Sequence, residues 1–210
     1  MPDKPTGRKI VCPRWLCFTF DNPLRRLLHH PETILGPYVH TGNTVIDVGA
    51  GMGYFSIPLA RLVGPAGHVT AIDIQTDMLS ALVNRARKAG VSERIKPHLA
   101  SPNSLGHHAR ADFVNAFWMV HEVPNQFAFL TEIFCLLKPE GFLLFAEPVF
   151  HVRKTSFLRT IQTATGIGFV VNDMPKIRLS HSVLLAPNGE AASSPSKLEA
   201  GLCQGPCVHK

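Results

Sequence analysis

The chain has 210 residues, of which 45% are hydrophobic and 17% are charged, and these values are typical of a globular protein. Its length suits one domain with short appendages, and its composition confines disorder to local segments. The formal net charge of +6 would suit a polyanionic partner, but the basic runs are short and no stacking aromatic residues separate them. A solvated surface is therefore favoured over a nucleic-acid interface.

Targeting signals and cysteine spacing narrow the setting of the chain. No stretch reaches the roughly 18 apolar residues of a membrane span, and the N-terminus lacks the apolar core of a signal peptide. We therefore expect no membrane span and a cytoplasmic location. The odd number of five cysteines favours reduced thiols over a secreted disulfide framework. Cys12 and Cys17, together with Cys203, Cys207 and His209, lack the usual zinc spacing, so no metal site is predicted.

The predicted elements begin with residues 1–35, an irregular lead-in followed by a small helical cap. The cap is indicated by apolar residues at helical spacing between Asn22 and Pro37. Residues 36–187 alternate short β-branched runs with helical stretches, which is typical of βαβ units and a parallel sheet. Residues 188–210 are rich in Gly, Ser, Ala and Pro and are predicted to form a disordered tail.

The main domain is predicted to contain alternating strands and helices, the last two strands forming an antiparallel pair around Met174 and Pro175. The strands are predicted at residues 44–48, 68–72, 94–99, 113–119, 142–146, 169–172 and 178–186. The helices are predicted at residues 53–63, 75–89, 125–137 and 155–165. Cys135 is expected to pack within the third of these helices. This order predicts an α/β fold with a mostly parallel sheet.

A glycine-rich turn follows the first predicted strand. The sequence VIDVGAGMGYFS places Gly49, Gly51 and Gly53 between a strand and a helix, where bare backbone can approach a ligand closely. A tight turn alone would also explain the glycines, but this context favours binding. The dinucleotide fingerprint G-x-G-x-x-G would need a glycine at Tyr54, and the carboxylate of Asp47 would repel a pyrophosphate but accept hydrogen bonds from a cationic headgroup. A positively charged nucleoside without phosphates fits better.

A second carboxylate supports this interpretation. Asp73 ends the second predicted strand about 20 residues after the turn, where an acidic residue can accept hydrogen bonds from both ribose hydroxyls. The adjacent Ile74 would offer an apolar face to the adenine. Asp73 could instead cap the following helix, but Thr76 and Asp77 already offer capping side chains. The ribose role is therefore favoured.

Four motifs resemble those of a known family, in the same order. VIDVGAGMG resembles the first motif of the class I S-adenosylmethionine-dependent methyltransferases, and AIDIQTDML resembles their acidic second-strand motif. AFWMVHEVPN is similar to the segment after their fourth strand. LLKPEGFLLFAEP is similar to their Lys-Pro-Gly-Gly turn and fifth strand, with Glu140 in place of the first glycine. The likeness covers residues 36–186 and points to the small-molecule branch that includes ubiquinone and menaquinone biosynthesis methyltransferases.

The resemblance implies a Rossmann-like, doubly wound sheet of seven strands, mostly parallel with an antiparallel last strand, and helices on both faces. It also implies S-adenosylmethionine as the cofactor. The family often places an acidic residue after the third strand to contact the adenine amine, but the segment here is ASPNSLG. Ser101 or Asn103 is expected to take its place, or packing against Ile74 holds the adenine. The predicted cofactor-binding residues are Asp47, Gly49, Ala50, Gly51, Gly53, Asp73, Ile74, Ser101, Asn103 and Trp118.

The chemistry needs little covalent help from the protein. Methyl transfer from a sulfonium is an in-line displacement that depends chiefly on positioning two reactants in a dry site. A general base matters only when the acceptor must lose a proton. His121, which follows the fourth predicted strand, is the candidate base, and a hydrogen-bonded loop histidine is the alternative. Trp118, Glu122 and Tyr54 are expected to lie nearby.

The acceptor is less well indicated. The sequence EPVFHVRK brings together Glu147, His151, Arg153 and Lys154, a set that suits a small polar or anionic acceptor and equally fits a plain surface loop. The predicted function is methyl transfer to a small molecule. Two alternatives stay open, namely a nucleic-acid methyltransferase and a non-catalytic protein that binds the cofactor for regulation or scaffolding. AFWMVHEV differs from the Asn-Pro-Pro-aromatic motif of amino-methylating nucleic-acid enzymes. The oligomeric state is not indicated.

Overall fold

The computed structural model describes residues 29–189. The predicted lead-in up to residue 28 and the predicted tail from residue 190 lie outside the described residues, as do Cys12, Cys17, Cys203, Cys207 and His209. Across residues 29–189, every helix is too short or too polar to cross a membrane.

Seven strands of the described chain form one sheet. They are β1 (Thr44–Val48), β2 (His68–Asp73), β3 (Ile95–Leu99), β4 (Ala111–Phe117), β5 (Leu137–Pro148), β6 (Phe169–Asp173) and β7 (Ser180–Pro187). Their spatial order is β3-β2-β1-β4-β5-β7-β6. β7 runs antiparallel to β5 and β6, whereas the other neighbouring strands pair in parallel. The chain winds outward in opposite directions from β1 and β4, so a topological switch point lies between these two strands.

The helices cover both faces of this sheet. They are α1 (Pro31–Leu35), α2 (Ser56–Leu62), α3 (Thr76–Lys88), α4 (Gln126–Leu136) and α5 (Lys154–Ile167), with short 3₁₀ turns at Ser92–Arg94 and Val120–Glu122. The side chain of Asn125 caps α4 by accepting a hydrogen bond from the amide of Ala128. α5 ends at Gly168, whose φ of 129° breaks the helical path.

Alternate residues of the central strands enter two separate cores. Val45 and Val69 belong to the core under α1, α2 and α3, whereas their neighbour Ile46 and the nearby Ile72 belong to the core under α4 and α5. Because both faces of β1 are covered, its side chains are almost continuously apolar, as parallel strands of α/β proteins require. Asp47 interrupts this run and is itself only 2% exposed.

The predicted fold class is confirmed, including the seven strands and the antiparallel pair at the end of the chain. Most boundaries differ from prediction by a few residues, and three of the differences have a clear local cause. The first helix of the domain begins at Ser56, since Gly51 and Gly53 have positive φ angles that a helix cannot contain. β4 ends at Phe117, because Trp118 has a φ of 61°. β5 begins earlier than predicted, because Leu137 already pairs with the first residue of β4.

One prediction about the cysteines is wrong. Cys135 lies on α4 as expected, but it is disulfide-bonded, which contradicts the expectation of reduced thiols at this position. The residue is half-buried.

Candidate functional site

The glycine turn between β1 and α2 contains two kinds of glycine. Gly49, Gly51 and Gly53 have φ angles of 70°, 52° and 87°, which favour glycine. A Cβ atom at Gly49 would lie 2.9 Å from Cγ of Met119, and one at Gly53 would lie 3.0 Å from Cγ of Leu82. A Cβ atom at Gly51 would have no neighbour within 4 Å. The outer two glycines therefore permit close packing, whereas Gly51 faces open space.

The amides of the turn are already hydrogen-bonded within the protein. The amides of Gly49 and Ala50 both donate to the carbonyl of Ile72, at 2.9 and 3.0 Å. The amide of Gly53 donates to the carbonyl of Ala50 at 2.9 Å, and that of Gly51 donates to Oδ2 of Asp73 at 2.8 Å. These four N–H groups do not form a cradle of free donors for a phosphate, and the turn therefore favours a ligand without phosphates.

Asp73 lies at the carboxyl end of β2, beside this turn. Its oxygens accept hydrogen bonds from the amides of Gly51 and Gln75, at 2.8 and 2.9 Å. Burial raises the pKa of Asp73, although its backbone hydrogen bonds act in the opposite direction. Ile74 is 40% exposed. Leu99, which pairs with Asp73 from β3, is 55% exposed. A carboxylate between exposed apolar side chains is suited to a ribose and its base.

Asp47 lies beneath the turn. It is 2% exposed and accepts hydrogen bonds from Oγ of Ser56 at 2.5 Å and from Nδ2 of Asn115 at 2.8 Å. In this geometry it contacts protein groups, joining β1 to β4 and to the start of α2, rather than open solvent. Asp47 thus supports the turn, and its contact with a cofactor headgroup stays a prediction. Sequence reasoning missed Ser56 and Asn115, although a polar residue in the apolar run of β4 is a usable signal.

The segment after β3 lies at the edge of the same crevice. The amide of Ala100 donates to the carbonyl of Asp73 at 3.0 Å, which keeps the start of the segment beside β2. Ser101 and Asn103 are both exposed. The hydroxyl of Ser101 donates to the carbonyl of Ser104 at 3.3 Å, so it is partly committed to its own turn. The contacts of Ser101 and Asn103 with a cofactor stay predictions.

Trp118 follows β4 in an unusual backbone conformation. Its φ of 61° is rare for a bulky residue and is of a kind that concentrates at functional sites. Its amide donates to the carbonyl of Ala146 at 2.8 Å, and its indole Nε1 donates to Oγ of Ser180 at 2.9 Å. The ring packs edge-on against Phe150, which is 64% exposed. The rings of Trp118 and Phe150 therefore form an aromatic surface at the carboxyl end of the sheet.

The ring of Tyr54 is placed by the segment before α1. Its hydroxyl donates to the carbonyl of His29 at 2.6 Å, and the ring is half-buried. Tyr54 thus ties the glycine turn to the start of the described chain.

His121 forms a dyad with a buried carboxylate. Both oxygens of Glu147, a residue that is 1% exposed, contact His121: Oε1 accepts from the backbone amide at 2.8 Å, and Oε2 lies 2.6 Å from Nδ1. A carboxylate at Nδ1 favours the tautomer with the proton on Nδ1, so Nε2 carries the lone pair in the neutral ring. This is the orientation that a general base requires, and sequence reasoning did not connect these two residues.

Glu122 brings further negative charge to this region. Burial raises the pKa of Glu122, and the charges of Glu147 and Asp73 raise it further, whereas His121 and His151 lower it. Over residues 29–189, no three His, Cys, Asp or Glu side chains are grouped so as to hold a metal ion.

A cleft of about 530 Å³ opens beside the dyad, a volume typical of small-molecule sites. The rings of His121 and His151 lie 4.7 Å apart at its edge. The structure thus brings Glu147, His151 and Arg153 together as predicted from EPVFHVRK, but it leaves Lys154 outside the lining. The cleft is lined by His121, Gln126, Glu147, His151, Val152, Arg153, Ser156, Arg159, Thr160 and Thr163.

The crevice lies at the switch point of a doubly wound sheet. Its glycine turn has its amides bonded within the protein, and its second strand ends in an aspartate. These features are typical of an α/β domain that binds a nucleoside. The family model described as a methyltransferase domain matches residues 39–178. The chain belongs to this family, as the sequence motifs predicted.

Relatives and solved structures agree with this assignment. A ubiquinone/menaquinone biosynthesis C-methyltransferase UbiE of Pseudomonas savastanoi pv. phaseolicola is 30% identical over 172 residues, which are 78% of this chain and 66% of that protein. A ubiquinone biosynthesis O-methyltransferase of a Methylobacterium species is 29% identical over 70% of this chain and 56% of its own length. The chain therefore spans at most 66% of these two relatives.

The fold is shared with a crystal structure of a SAM-dependent methyltransferase from Aquifex aeolicus. The TM-score is 0.74 at 23% identity, and the match covers 83% of this chain and 97% of that one.

Proposed function

We propose that the chain transfers the methyl group of S-adenosylmethionine to a small-molecule acceptor by in-line displacement. The observation that carries this proposal is the crevice in which Gly51 faces open space beside Asp73. Its family membership and the methyltransferase names of its relatives support the same activity. When bound, the cofactor supplies an electrophilic methyl group on a positively charged sulfur.

The residues present fit such a nucleoside. Asp73 has lone pairs left over after its two backbone hydrogen bonds, and these can accept the ribose hydroxyls. The exposed faces of Ile74 and Leu99 suit the adenine.

The remaining predicted cofactor residues have supporting roles in this proposal. Gly49, Ala50 and Gly53 set the path of the turn through packing and internal hydrogen bonds. Asp47 holds the turn from below. Trp118 borders the crevice from the end of β4, with its indole fixed by a hydrogen bond.

The acceptor would enter the cleft next to His121. For an acceptor whose reacting atom loses a proton, His121 Nε2 would take that proton, while Glu147 holds the ring and stabilises its positive charge. For an acceptor without such a proton, His121 only shapes the site.

The first test is calorimetry with S-adenosylmethionine and S-adenosylhomocysteine. Methyl-labelled cofactor would then be incubated with a metabolite extract, and mass spectrometry would identify a small molecule that gains the label. Absence of cofactor binding by the folded protein would refute the proposal. Binding without any labelled product would favour the non-catalytic alternative, and label in RNA would favour the nucleic-acid alternative.

The dyad gives this proposal a residue-level test. With an acceptor that loses a proton, His121→Gln should lower turnover about 10²- to 10⁴-fold, because a positioned base contributes roughly that factor. Glu147→Gln should shift the pH profile of turnover, since the ring loses its anionic partner. His40→Gln, which changes an exposed histidine far from the cleft, serves as the control. Equal turnover of the wild type and His121→Gln would remove the base from the mechanism.

A further inference from the structure

One face of α5 carries only hydrogen-bonding side chains. Polar side chains recur every three or four positions along the helix and line the cleft beside the dyad. They are Arg153, at the N-cap, and Ser156, Arg159, Thr160 and Thr163. The adjoining face of α5 is apolar and belongs to the core through Phe157, Ile161 and Ala164. The core thus fixes the rotation of the helix, and that rotation directs the polar stripe into the cleft.

The positive charge on this stripe is not neutralised by the protein. In the part of the chain that the structure describes, no carboxylate forms an ion pair with Arg153 or Arg159. Within residues 29–189, Glu147 is the only carboxylate in the cleft lining, and both of its oxygens already contact His121. Among residues 29–189, the two guanidinium groups of the cleft therefore have no ion-paired carboxylate.

The neighbouring donors are arranged to assist these arginines. Nη2 of Arg159 donates to Oγ of Ser156 at 3.2 Å, which leaves the hydroxyl proton of Ser156 available for a further acceptor. The hydroxyl of Thr160 is already used, since it donates to Oε1 of Gln126 at 3.0 Å. The lining thus presents guanidinium and hydroxyl donors, whereas its carboxylate, Glu147, is already bound to His121.

We propose that this cleft binds the oxyanion of a methyl acceptor, a carboxylate or phosphate group on a small molecule, through Arg153, Arg159 and Ser156. A guanidinium matches the two oxygens of either group with two parallel hydrogen bonds. The rest of the acceptor then extends toward His121 Nε2 and the crevice that holds the sulfonium. This inference rests on the proposed function for its meaning, because it names the substrate class of the same enzyme.

The experiment uses defined probes with the full chain. Benzoate and phenyl phosphate are titrated at constant ionic strength in the presence of S-adenosylhomocysteine, with benzamide as the neutral analogue of similar shape. Binding is followed by the Nε–Hε signals of the arginines in NMR spectra, and the affinity for S-adenosylhomocysteine is measured on the same samples.

The matched variants are Arg159→Gln and Arg87→Gln. Both arginines are exposed on a helix, and each donates to the side chain three residues earlier, at 3.2 Å for Arg159 and 3.4 Å for Arg87. We expect at least one of the two anions to bind saturably and benzamide not to bind. Arg159→Gln and Arg153→Gln should weaken anion binding at least tenfold, whereas Arg87→Gln should leave it unchanged.

The outcomes separate this inference from the proposed function. Tighter binding of benzoate indicates a carboxylate acceptor, and tighter binding of phenyl phosphate indicates a phosphorylated one. Anions that bind no better than benzamide, or equal losses in Arg159→Gln and Arg87→Gln, would overturn the oxyanion site. Failure of S-adenosylhomocysteine to bind, with anion binding as expected, would overturn the proposed function and leave the oxyanion site standing.

Discussion

Two aspartates at opposite ends of the same sheet have opposite electrostatic surroundings. At the amino end of β4, Asp112 accepts hydrogen bonds from Nζ of Lys138 at 2.7 Å and from the amide of Thr44 at 2.8 Å. Burial raises the pKa of Asp112, but Lys138 and the backbone donors outweigh it and the pKa is lowered. At the carboxyl end of β2, Asp73 has backbone donors and no such cation, so burial prevails and its pKa is raised.

This difference separates structural from functional polarity. The amino end of the sheet compensates its buried charge within the protein, through Lys138. At the carboxyl end, no ion pair within residues 29–189 involves Asp73 or the two cleft arginines, and a ligand could supply hydroxyl donors or an anion there. Incomplete compensation of this kind, placed in a cleft, is the physical mark of a binding site.

In the comparison of the two ends, the largest expected effect concerns cofactor affinity at the carboxyl end. Asp73→Asn should weaken binding of S-adenosylhomocysteine about 10- to 100-fold, because hydrogen bonds to a charged acceptor contribute roughly 1.5–3 kcal/mol. Calorimetry measures the change. Asp112→Asn is the matched control and should leave the affinity within about twofold of wild type. Similar affinities for wild type and Asp73→Asn would show that Asp73 does not bind the cofactor.

The glycine turn sharpens the comparison, because it contains a packing glycine and a ligand-facing one. Gly49→Ala should lower the free energy of unfolding by about 2 kcal/mol, since it adds left-handed strain and a contact of 2.9 Å to Cγ of Met119. Gly51→Ala should cost only about 1 kcal/mol, from strain alone. Urea denaturation measures both changes.

The double variant Gly49→Ala, Met119→Ala isolates the contact. It should recover part of the loss relative to Met119→Ala alone, since the clashing atom is gone. Equal costs at Gly49 and Gly51 would mean that packing does not distinguish them.

The third prediction concerns stability at the amino end. Asp112→Asn should lower the free energy of unfolding by about 1.5 kcal/mol, because it removes the charge that holds Lys138 Nζ and the Thr44 amide. Asp73→Asn should change it by less than about 0.5 kcal/mol, because burial already disfavours the charged form there. Urea unfolding curves at pH 7 measure both. A larger loss at Asp73 than at Asp112 would reverse the assignment of the two ends.

Local signals explain why much of this fold could be predicted. The strand β1 is apolar on both faces because both cores cover it, and that run is visible in the sequence. The proximity of the glycine turn to Asp73 was also predictable, since the turn and the strand that follows it are close in the chain. The end of β4 was misplaced, because the positive φ of Trp118 is imposed by contacts with Ala146 and Ser180 rather than by local preference.

Long-range packing explains what was missed. The role of Asp47 depends on Asn115, which is brought to it by the pairing of β1 with β4. The dyad of His121 and Glu147 depends on the neighbouring ends of β4 and β5. Arg159 reaches the cleft only because the core fixes the rotation of α5. These contacts join residues that are distant in sequence and carry no local motif.

The smallest expected effect is the pH dependence of stability, in which the two aspartates should differ in sign. The lowered pKa of Asp112 means that its stabilisation is complete above the unfolded value near 3.8 and is lost as pH falls through the lower folded pKa. The pKa of Asp73 is raised on folding, so the protonated carboxyl stabilises the folded state. This contribution is complete below pH 3.8, the unfolded value, and is lost as pH rises through the higher folded pKa.

Unfolding free energies measured from pH 3 to pH 7 test this opposition. As pH rises, the wild type should gain stability relative to Asp112→Asn and lose stability relative to Asp73→Asn. In high salt the stability difference should persist for Asp73→Asn, because burial causes the pKa shift of Asp73. It should shrink for Asp112→Asn, because salt screens the half-exposed Lys138. Differences of the same sign for both variants would show that the two ends of the sheet treat charge alike, and Asp73 would then lose its distinction as an uncompensated, ligand-ready carboxylate.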